Sequence, residues 1–487
     1  MSRSTKRATT ALMAAAAMAL AGCTSLSPVT RTDVPDGVAF RNAAGALATA
    51  QAPQAPELAA WWERFGDPEL SRLVTVALTA NLDIVQAKAR LAEADALVRR
   101  ARADRLPGGG MDASVARQRQ SLEGPTGTLT RNAPGFMRDQ TVFDSGVQAS
   151  WELDLFGRLG AVAQAAASGS RESEALLDGV RLRIAAETAD AYVVLAGANE
   201  RLKITQAQRD VLRRLAQATQ RRFDAGEAGL GELEQTRGEL ARLDTLVPII
   251  GIEAEAQRNR LVVLTAGSGP LAAPIQVPRA PGLAGLDTPA QVLRRRPDVR
   301  AAEAGIALAD ARIGAALSAY YPSISIAGVV GFQAVDANRL FTGPSLNAQG
   351  LVGIRWRLFD FARIDAEVAA ARARGDGALA THRTALLLAT EDVENALFAL
   401  VARDTQQREA ARASAAFVAA ASTVRRTFDA GLSGLPLLLD AERRMLDAQQ
   451  SEADARVAAA RASVAVFRAI GGVVERPADV LSARETP

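Results

Sequence analysis

The amino-acid sequence predicts a mainly α-helical protein built from two tandem repeats, each with a pair of β-strands and very long helices. Segments recur along the chain at an almost constant spacing, which is the signature of a repeated structural unit. Residues 158–223 and 363–428 contain no proline, and at 1.5 Å per residue each stretch could form a helix of roughly 100 Å. Such helices are too long to fold back into one compact core.

Most of the repeat is related by a shift of 205 residues, and its earlier part by a shift of 215 residues. The matched segments are 147–153 with 352–358, 223–226 with 428–431 and, at the larger shift, 81–84 with 296–299. Pro107 likewise matches Pro322, so the ten-residue difference falls between Pro107 and Trp151. We interpret it as a longer loop in the first copy.

Composition removes several classes of protein. The 487 residues include one His and one Cys, whereas zinc fingers and disulfide frameworks need more than one such residue. Of 57 basic residues, Arg3, Lys6 and Arg7 lie in the first 22 positions, which hold no acid; the other 54 balance the 54 acids. The rest of the chain is therefore formally neutral and has no basic stripe of the kind that would indicate a nucleic-acid partner.

The N-terminus is typical of an export signal, residues 1–22. Three basic residues precede the apolar stretch 11–20, which is too short to span a bilayer. Leu20-Ala21-Gly22-Cys23 resembles a bacterial lipoprotein signal in which Cys23 is acylated, and Thr24 favours sorting to the outer membrane; a buried structural cysteine is the alternative. Residues 23–60 are predicted to be a lipid-anchored tether and residues 473–487 a C-terminal tail.

The predicted strands lie in residues 108–155 and 322–360. Residues 147–153 and 352–358 alternate between apolar and polar side chains, so one face of each strand is apolar. This pattern fits the wall of an outer-membrane β-barrel or an ordinary half-exposed antiparallel sheet. Four strands per chain are too few for a closed barrel of about eight or more, so other copies would have to supply strands: two chains give eight and three give twelve.

The long helices are expected at about 158–225 and 363–430. Each carries apolar residues separated by three, four or seven positions, which indicates a coiled-coil seam. The seam residues are Leu177, Val180, Ile184, Ala191, Leu195 and Leu202 in the first copy, and Leu386, Ala389, Val393, Leu397 and Leu400 in the second. A coiled-coil stalk alone would not explain strand pairs at matching places in both repeats.

A glycine-containing turn follows each long helix, at residues 223–231 and 428–439. Glycine permits the left-handed backbone that reverses a helix, and Pro436 can begin the next one. The simplest interpretation of these turns is a helix connector.

Several motifs in this order resemble the outer membrane factor, or TolC-like, family of tripartite efflux and secretion systems, in its NodT-like lipoprotein branch. They are the lipoprotein signal, Trp61-Trp62 followed by Phe65-Gly66-Asp67-Pro68-Glu69-Leu70, the segments 295–303 and 321–324, and the paired Phe-Asp-Ala-Gly turns. The resemblance divides the chain into a first repeat, 61–270, a linker, 271–288, and a second repeat, 289–472.

The resemblance implies a homotrimer, with a twelve-stranded barrel in the outer membrane and an α-helical tunnel through the periplasm. It implies a passive exit duct for small molecules, with a periplasmic adaptor protein and an inner-membrane pump as partners, and with no cofactor beyond the lipid on Cys23. The chain would not be an enzyme. A lipid-anchored coiled-coil spacer that conducts nothing, and an envelope enzyme using paired carboxylates, are the alternatives.

The resemblance also implies roles for residues in the turns. The expected adaptor-docking contacts are Phe223, Gly226, Leu230, Phe428, Gly431 and Leu432. Asp440 matches the position of a carboxylate that narrows the closed tunnel entrance, although a helix-start aspartate stabilised by the dipole is a competing interpretation. Some relatives carry a second acid three residues earlier, where this chain has Leu437.

Other titratable residues suggest no chemistry. His382 has no obvious partner set and is expected to be solvated or to cap a helix. Glu391, Asp392 and Glu394 are expected to form a solvated helix face. No phosphate loop is present, so energy would have to come from a partner.

Overall fold

The structure is a computed structural model that describes residues 40–47, 60–268, 276–283 and 286–472. The predicted signal segment, Cys23 and the C-terminal tail lie outside these residues. The chain divides into two compact units, and the β-sheet belongs to the one that includes residues 96–168 and 305–379. The other unit includes the described residues within 34–95, 169–304 and 380–472. No helix of the described residues has an apolar stretch long enough to cross a membrane.

The described elements follow the predicted order in both repeats. The helices are α1 (Ala43–Leu47), α2 (Pro68–Ala80), α3 (Leu82–Ala103), α4 (Pro125–Thr130), α5 (Arg158–Asp224), α6 (Leu230–Leu264), α7 (Pro289–Arg295), α8 (Pro297–Leu317), α9 (Phe361–Asp429) and α10 (Leu435–Ala469). The strands are β1 (Gly108–Arg119), β2 (Asp139–Leu153), β3 (Ser323–Ala334) and β4 (Leu346–Arg355). Short 3-10 helices occupy Trp61–Phe65, Ser318–Tyr320, Ala337–Arg339 and Gly343–Ser345.

The four strands form one antiparallel sheet in the order β1-β2-β3-β4. Trp151 pairs with Ile326, and Ile326 pairs in turn with Val352. Because directly paired residues point to the same side of a sheet, the predicted apolar sets share one face. Their side chains are largely exposed in the single chain.

The alternating pattern continues past the end of the last strand. β4 ends at Arg355, so the prediction that Trp356 and Leu358 are strand residues was wrong. The indole N–H of Trp356 instead donates to the carbonyl of Tyr320 (3.0 Å). In the first copy, Trp151 donates in the same way to the carbonyl of Arg105 (2.9 Å). The repeated tryptophan therefore ties each hairpin to the end of the preceding helix segment.

The predicted seam of α5 is confirmed. Leu177, Ile184 and Leu195 are buried in a cluster with residues of α3 and α6, and Val180 and Leu202 pack against it. In α9, Val393, Leu397 and Leu400 are buried in a second cluster that also contains residues of α10 and the Trp61–Phe65 segment. Burying a full leucine or valine side chain contributes about 1.5–3 kcal/mol, so these seams account for much of the helix packing.

The segment 65–70 is a helix start held by one aspartate. Gly66 adopts φ 65°, which ends the preceding 3-10 helix, and Pro68 occupies the first turn of α2. Asp67 Oδ1 accepts the backbone N–H groups of Glu69 and Leu70. Asp67 Oδ2 accepts the buried hydroxyl of Tyr192 (2.7 Å), which joins α2 to α5. Burial, followed by this hydrogen bond, raises the pKa of Tyr192 well above its usual range.

A polar side chain caps the returning helix of each repeat. Asn81 Nδ2 donates to the carbonyl of Leu264 at the end of α6 (2.9 Å). At the matching place in the second repeat, buried Arg296 donates to the carbonyl of Ala469 at the end of α10 (2.8 Å) and pairs with Asp298 and Asp392. Helix-end carbonyls lack a partner within the helix, so both side chains satisfy otherwise unpaired acceptors.

The prediction for His382 was wrong, because this residue is buried within α9 and lies far from either helix end. The predicted solvated face is confirmed for Glu391 and Asp392, which are exposed, but two of its acids also have partners. Asp392 pairs with Arg296, and Glu394 accepts the backbone N–H groups of Arg41 and Asn42. A single sequence could not reveal these partners, because they lie about 100 or 350 residues away along the chain. Asp392 and Glu394 therefore anchor distant segments from this face of α9.

Candidate functional site

The turn at residues 223–231, between α5 and α6, begins with two hydrogen bonds that end α5. Gly226 adopts φ 77°, and its N–H donates to the carbonyl of Phe223 (2.9 Å). The N–H of Glu227 donates to the carbonyl of Arg222 (2.8 Å). This pair of bonds is a Schellman motif, which requires a left-handed residue and therefore favours glycine.

The second turn has the same backbone. Gly431 adopts φ 74° and donates to the carbonyl of Phe428 (2.9 Å), while Leu432 donates to the carbonyl of Thr427 (2.8 Å). The Phe-Asp-Ala-Gly repeat therefore encodes one reversal used twice. The returning helices begin after Gly229 and Gly434, whose φ and ψ values agree within a few degrees.

The turns differ in the side chains that they expose. Leu432 follows the left-handed glycine of the second turn and is 81% exposed, whereas Glu227 occupies that place in the first turn. Leu230 begins α6 and is 59% exposed, whereas its counterpart Leu435 is 3% exposed. Leu437, in the first turn of α10, is 53% exposed, so the second turn presents two leucines and the first turn presents one.

Phe223 and Phe428 are less exposed to solvent than Leu230 and Leu432. Phe223 and Phe428 are both half-buried. Phe428 packs against the cluster formed by Leu212, Leu243, Leu435, Leu438, Leu439 and Leu446. Phe428 therefore anchors the end of α9 to the helices around it, and Leu432 is the most exposed apolar group of that turn.

Asp440 lies in the first turns of α10 and is held by two arginines. Its carboxylate accepts Arg443 Nη2 (3.0 Å) and Arg444 Nε (2.7 Å). Arg443 first, and Arg444 after it, hold the pKa of Asp440 below its usual range. Arg443 also lies 3.7 Å from a carboxylate oxygen of Asp447, so Asp440 belongs to a small network of charges along one face of α10. Neither partner was predicted, although their spacing of three and four residues from Asp440 on a helix could have revealed them.

An ion pair with a buried carboxylate lies two residues after Asp440. Glu442 is 7% exposed and accepts Arg425 Nε from α9 (3.0 Å). The side chain of Arg425 is 43% exposed. This pair joins the two helices that meet at the second turn, and it was not predicted because the partners are on different helices.

Polar side chains also join α5 to α10, at positions further along the helices from the turns. Gln450 Nε2 donates to Thr205 Oγ1 (3.2 Å), and Arg201 lies 3.4 Å from a carboxylate oxygen of Asp454. Burial raises the pKa of Asp454, while Arg201 opposes that change. These pairs fix the registry of α5 against α10 by polar contacts, in addition to the apolar seam.

The duplicated helices, the sheet and the paired turns match one family of proteins. The family model described as outer membrane efflux protein matches residues 73–261 and 288–472. The chain belongs to this family. Its two matched segments correspond to the two repeats of this chain.

Individual relatives have related roles. The chain is 32% identical to the outer membrane protein OprJ of Pseudomonas aeruginosa over 364 residues, which is 72% of each chain. It is 27% identical over 395 residues to the probable outer membrane lipoprotein SilC of Salmonella typhimurium, covering 78% of this chain and 80% of SilC. The solved structure of the outer-membrane channel OprN superposes with a TM-score of 0.81 at 30% identity, covering 91% of this chain and 98% of OprN. This chain is therefore an outer membrane efflux protein with the fold of these channels.

Proposed function

We propose that this chain is the exit-channel subunit of a tripartite efflux system and works as a homotrimer. Small molecules would pass through a continuous water-filled path without chemical change. A periplasmic adaptor protein and an inner-membrane pump would supply the cargo and the energy. The chain's membership in the outer membrane efflux protein family supports this proposal.

The exposed apolar face and the unpaired edges of the sheet are the observations that support a trimer. Its apolar face exposes residues such as Val115, Val330 and Val352, which an isolated soluble sheet would bury. Its edge strands, β1 and β4, have no partner beyond the sheet among the described residues. Unpaired edges are not tolerated in lipid, so the edges of neighbouring copies would pair. Three copies would supply a closed sheet of twelve strands.

Cysteine crosslinking tests this assembly. Val115→Cys on β1 is combined with single cysteines at positions 348–354 of β4, and the lipidated protein is oxidised in membranes. At least one pair should give a covalent trimer on a non-reducing gel. The control is Val147→Cys with Val330→Cys, a pair within one chain that should give only monomer. Monomer at every β4 position would contradict the trimer.

Ion flux separates the channel from a spacer. The full-length lipidated protein, reconstituted in liposomes, should release an entrapped small ion at a rate that rises with protein density. A spacer that conducts nothing would leave the entrapped ion inside. The same preparation gives the mass of the N-terminal peptide, which should carry acyl chains on Cys23, as the name of SilC supports.

The two turns are the proposed docking surface for the adaptor. Leu432 and Leu230 are the most exposed apolar groups of the turns, while Gly226 and Gly431 set the shape of the backbone and Phe223 and Phe428 support it. Leu432→Glu should reduce co-purification of the adaptor at least tenfold. Leu387→Glu, at an exposed leucine in the middle of α9, is the matched control and should leave co-purification unchanged.

Asp440 is the proposed gate residue. Three copies around an axis would bring three Asp440 carboxylates and their arginine partners together at the tunnel entrance. Opening requires a partner that binds one arrangement of the turns better than the other.

A further inference from the structure

We infer that a groove among four helices of this chain binds small oxyanions, meaning molecules that carry phosphate, sulfonate or carboxylate groups. The groove has a volume of about 540 Å³ and is lined by residues of α5, α6, α9 and α10. Its charged residues are Glu187, Asp190, Arg260, Arg403, Arg461 and Arg468. This site is separate from the turns, and it does not depend on the conducting role proposed above.

Both carboxylates of the groove are already occupied. Asp190 accepts both Nε and Nη2 of Arg461, at 2.6 and 3.2 Å. One oxygen of Glu187 accepts Arg183 (3.1 Å), and the other accepts Arg260. Each carboxylate therefore has an arginine on both oxygens and does not neutralise a further cation.

Two arginines of the groove keep an uncompensated charge. Among the described residues, Arg403 donates only to the neutral amide oxygen of Gln406 (2.7 Å). Arg468 has no side-chain hydrogen bond or ion pair with any described residue. Both side chains are exposed, so their donors are available. Four arginines against two carboxylates leave the groove with two excess positive charges, and the planar guanidinium group suits oxyanions.

The floor of the groove is made of small apolar residues. Alanines at 186, 191, 399, 458, 462 and 465 line it. Such a floor leaves room for the apolar body of a ligand between the charged rims.

The two free arginines belong to the second copy of the repeat only. At a shift of 205 residues, Arg403 corresponds to Ala198 and Arg468 to Val263. The groove therefore lacks an equivalent pair of free cations from the first copy.

Titration calorimetry of the full-length protein in detergent tests the site, with inorganic pyrophosphate as the probe. We expect saturable binding of one pyrophosphate per chain that weakens as NaCl rises from about 50 to about 200 mM. Arg403→Gln with Arg468→Gln should weaken binding at least about tenfold, since two charge-assisted contacts are lost. Arg412→Gln changes an exposed α9 arginine outside the groove, paired with Glu409, and should stay within twofold.

The charge-keeping pair Arg403→Lys with Arg468→Lys shows whether a loss of binding reflects charge or misfolding. It should bind more tightly than the glutamine pair. Absence of binding to the unchanged protein at about 10 mM pyrophosphate, or equal affinity in the glutamine pair, would overturn the inference. Ion flux through liposomes is measured on the same proteins. A protein that conducts but does not bind pyrophosphate disproves only the groove, and one that binds but does not conduct disproves only the channel.

Discussion

Replacing Glu442 with glutamine removes one charge from the ion pair that joins α9 to α10 near the second turn, while it keeps the size of the side chain. A hydrogen bond to a charged group contributes about 1.5–3 kcal/mol. The side chain of Arg425 is 43% exposed, so water would hydrate its freed guanidinium, and the glutamine oxygen can still accept. We therefore expect a loss of about 1–2 kcal/mol in local stability, which is roughly 5–30-fold in the opening equilibrium.

Hydrogen exchange followed by mass spectrometry measures this opening directly. Peptides from residues 425–446 of the intact assembly should exchange about 5–30-fold faster in Glu442→Gln than in the unchanged protein. Glu409→Gln breaks an exposed pair with Arg412 on the same helix and should change exchange less than twofold. Arg425→Gln together with Glu442→Gln should cost less than the sum of the two single changes, because the partners are in contact.

Exchange that is unchanged within twofold in Glu442→Gln would refute this reasoning. An equal effect of Glu409→Gln would also refute it, because the burial of Glu442 would then be irrelevant. Either result would mean that the apolar cluster alone holds the hairpin.

Three further predictions concern the turns and the helix start. Asp440→Ala should raise single-channel conductance in planar bilayers. Because the folded pKa of Asp440 is lowered, its ion pairs should persist down to about pH 4 and be lost only below that. Titration of this group should therefore leave conductance unchanged between about pH 5 and 8. Gly431→Ala places a side chain at φ 74° and should destabilise the turn by about 1–2 kcal/mol, which would be measured as faster amide exchange. The control, Gly231→Ala in the first turn of α6, should be neutral or stabilising. Tyr192→Phe removes the hydroxyl that donates to Asp67 and should lower the unfolding free energy by about 1.5–3 kcal/mol in denaturant titration; in the unchanged protein this tyrosine should remain neutral in an absorbance titration above about pH 10.

The local features of the fold were predictable because they depend on near neighbours in sequence. The heptad spacing of Ile184 and Leu195 predicted a buried seam, and the alternation around Trp151 predicted a strand with one apolar face. The paired turns were predictable for the same reason, since Gly226 and Gly431 follow their helices directly. The end of β4 was predicted wrongly because alternation continues past Arg355, where the backbone leaves the ladder.

The partners of charged residues were less predictable. The bonds from Arg443 and Arg444 to Asp440 follow from helical spacing. The pairs of Glu442 with Arg425 and of Asp392 with Arg296 join different helices, and many equally spaced charges along the chain compete for such roles.

The sequence alone determined the duplication, the types of the long helices and of the strands, and the positions of the two reversals, because helix periodicity, strand alternation and left-handed glycines are local properties of the chain. The tertiary structure alone decided which charges are neutralised across helices, since a carboxylate such as Asp190 or Glu442 meets its arginine only after the helices have packed side by side. It thereby also decided which cations, among them Arg403 and Arg468, remain available to a ligand.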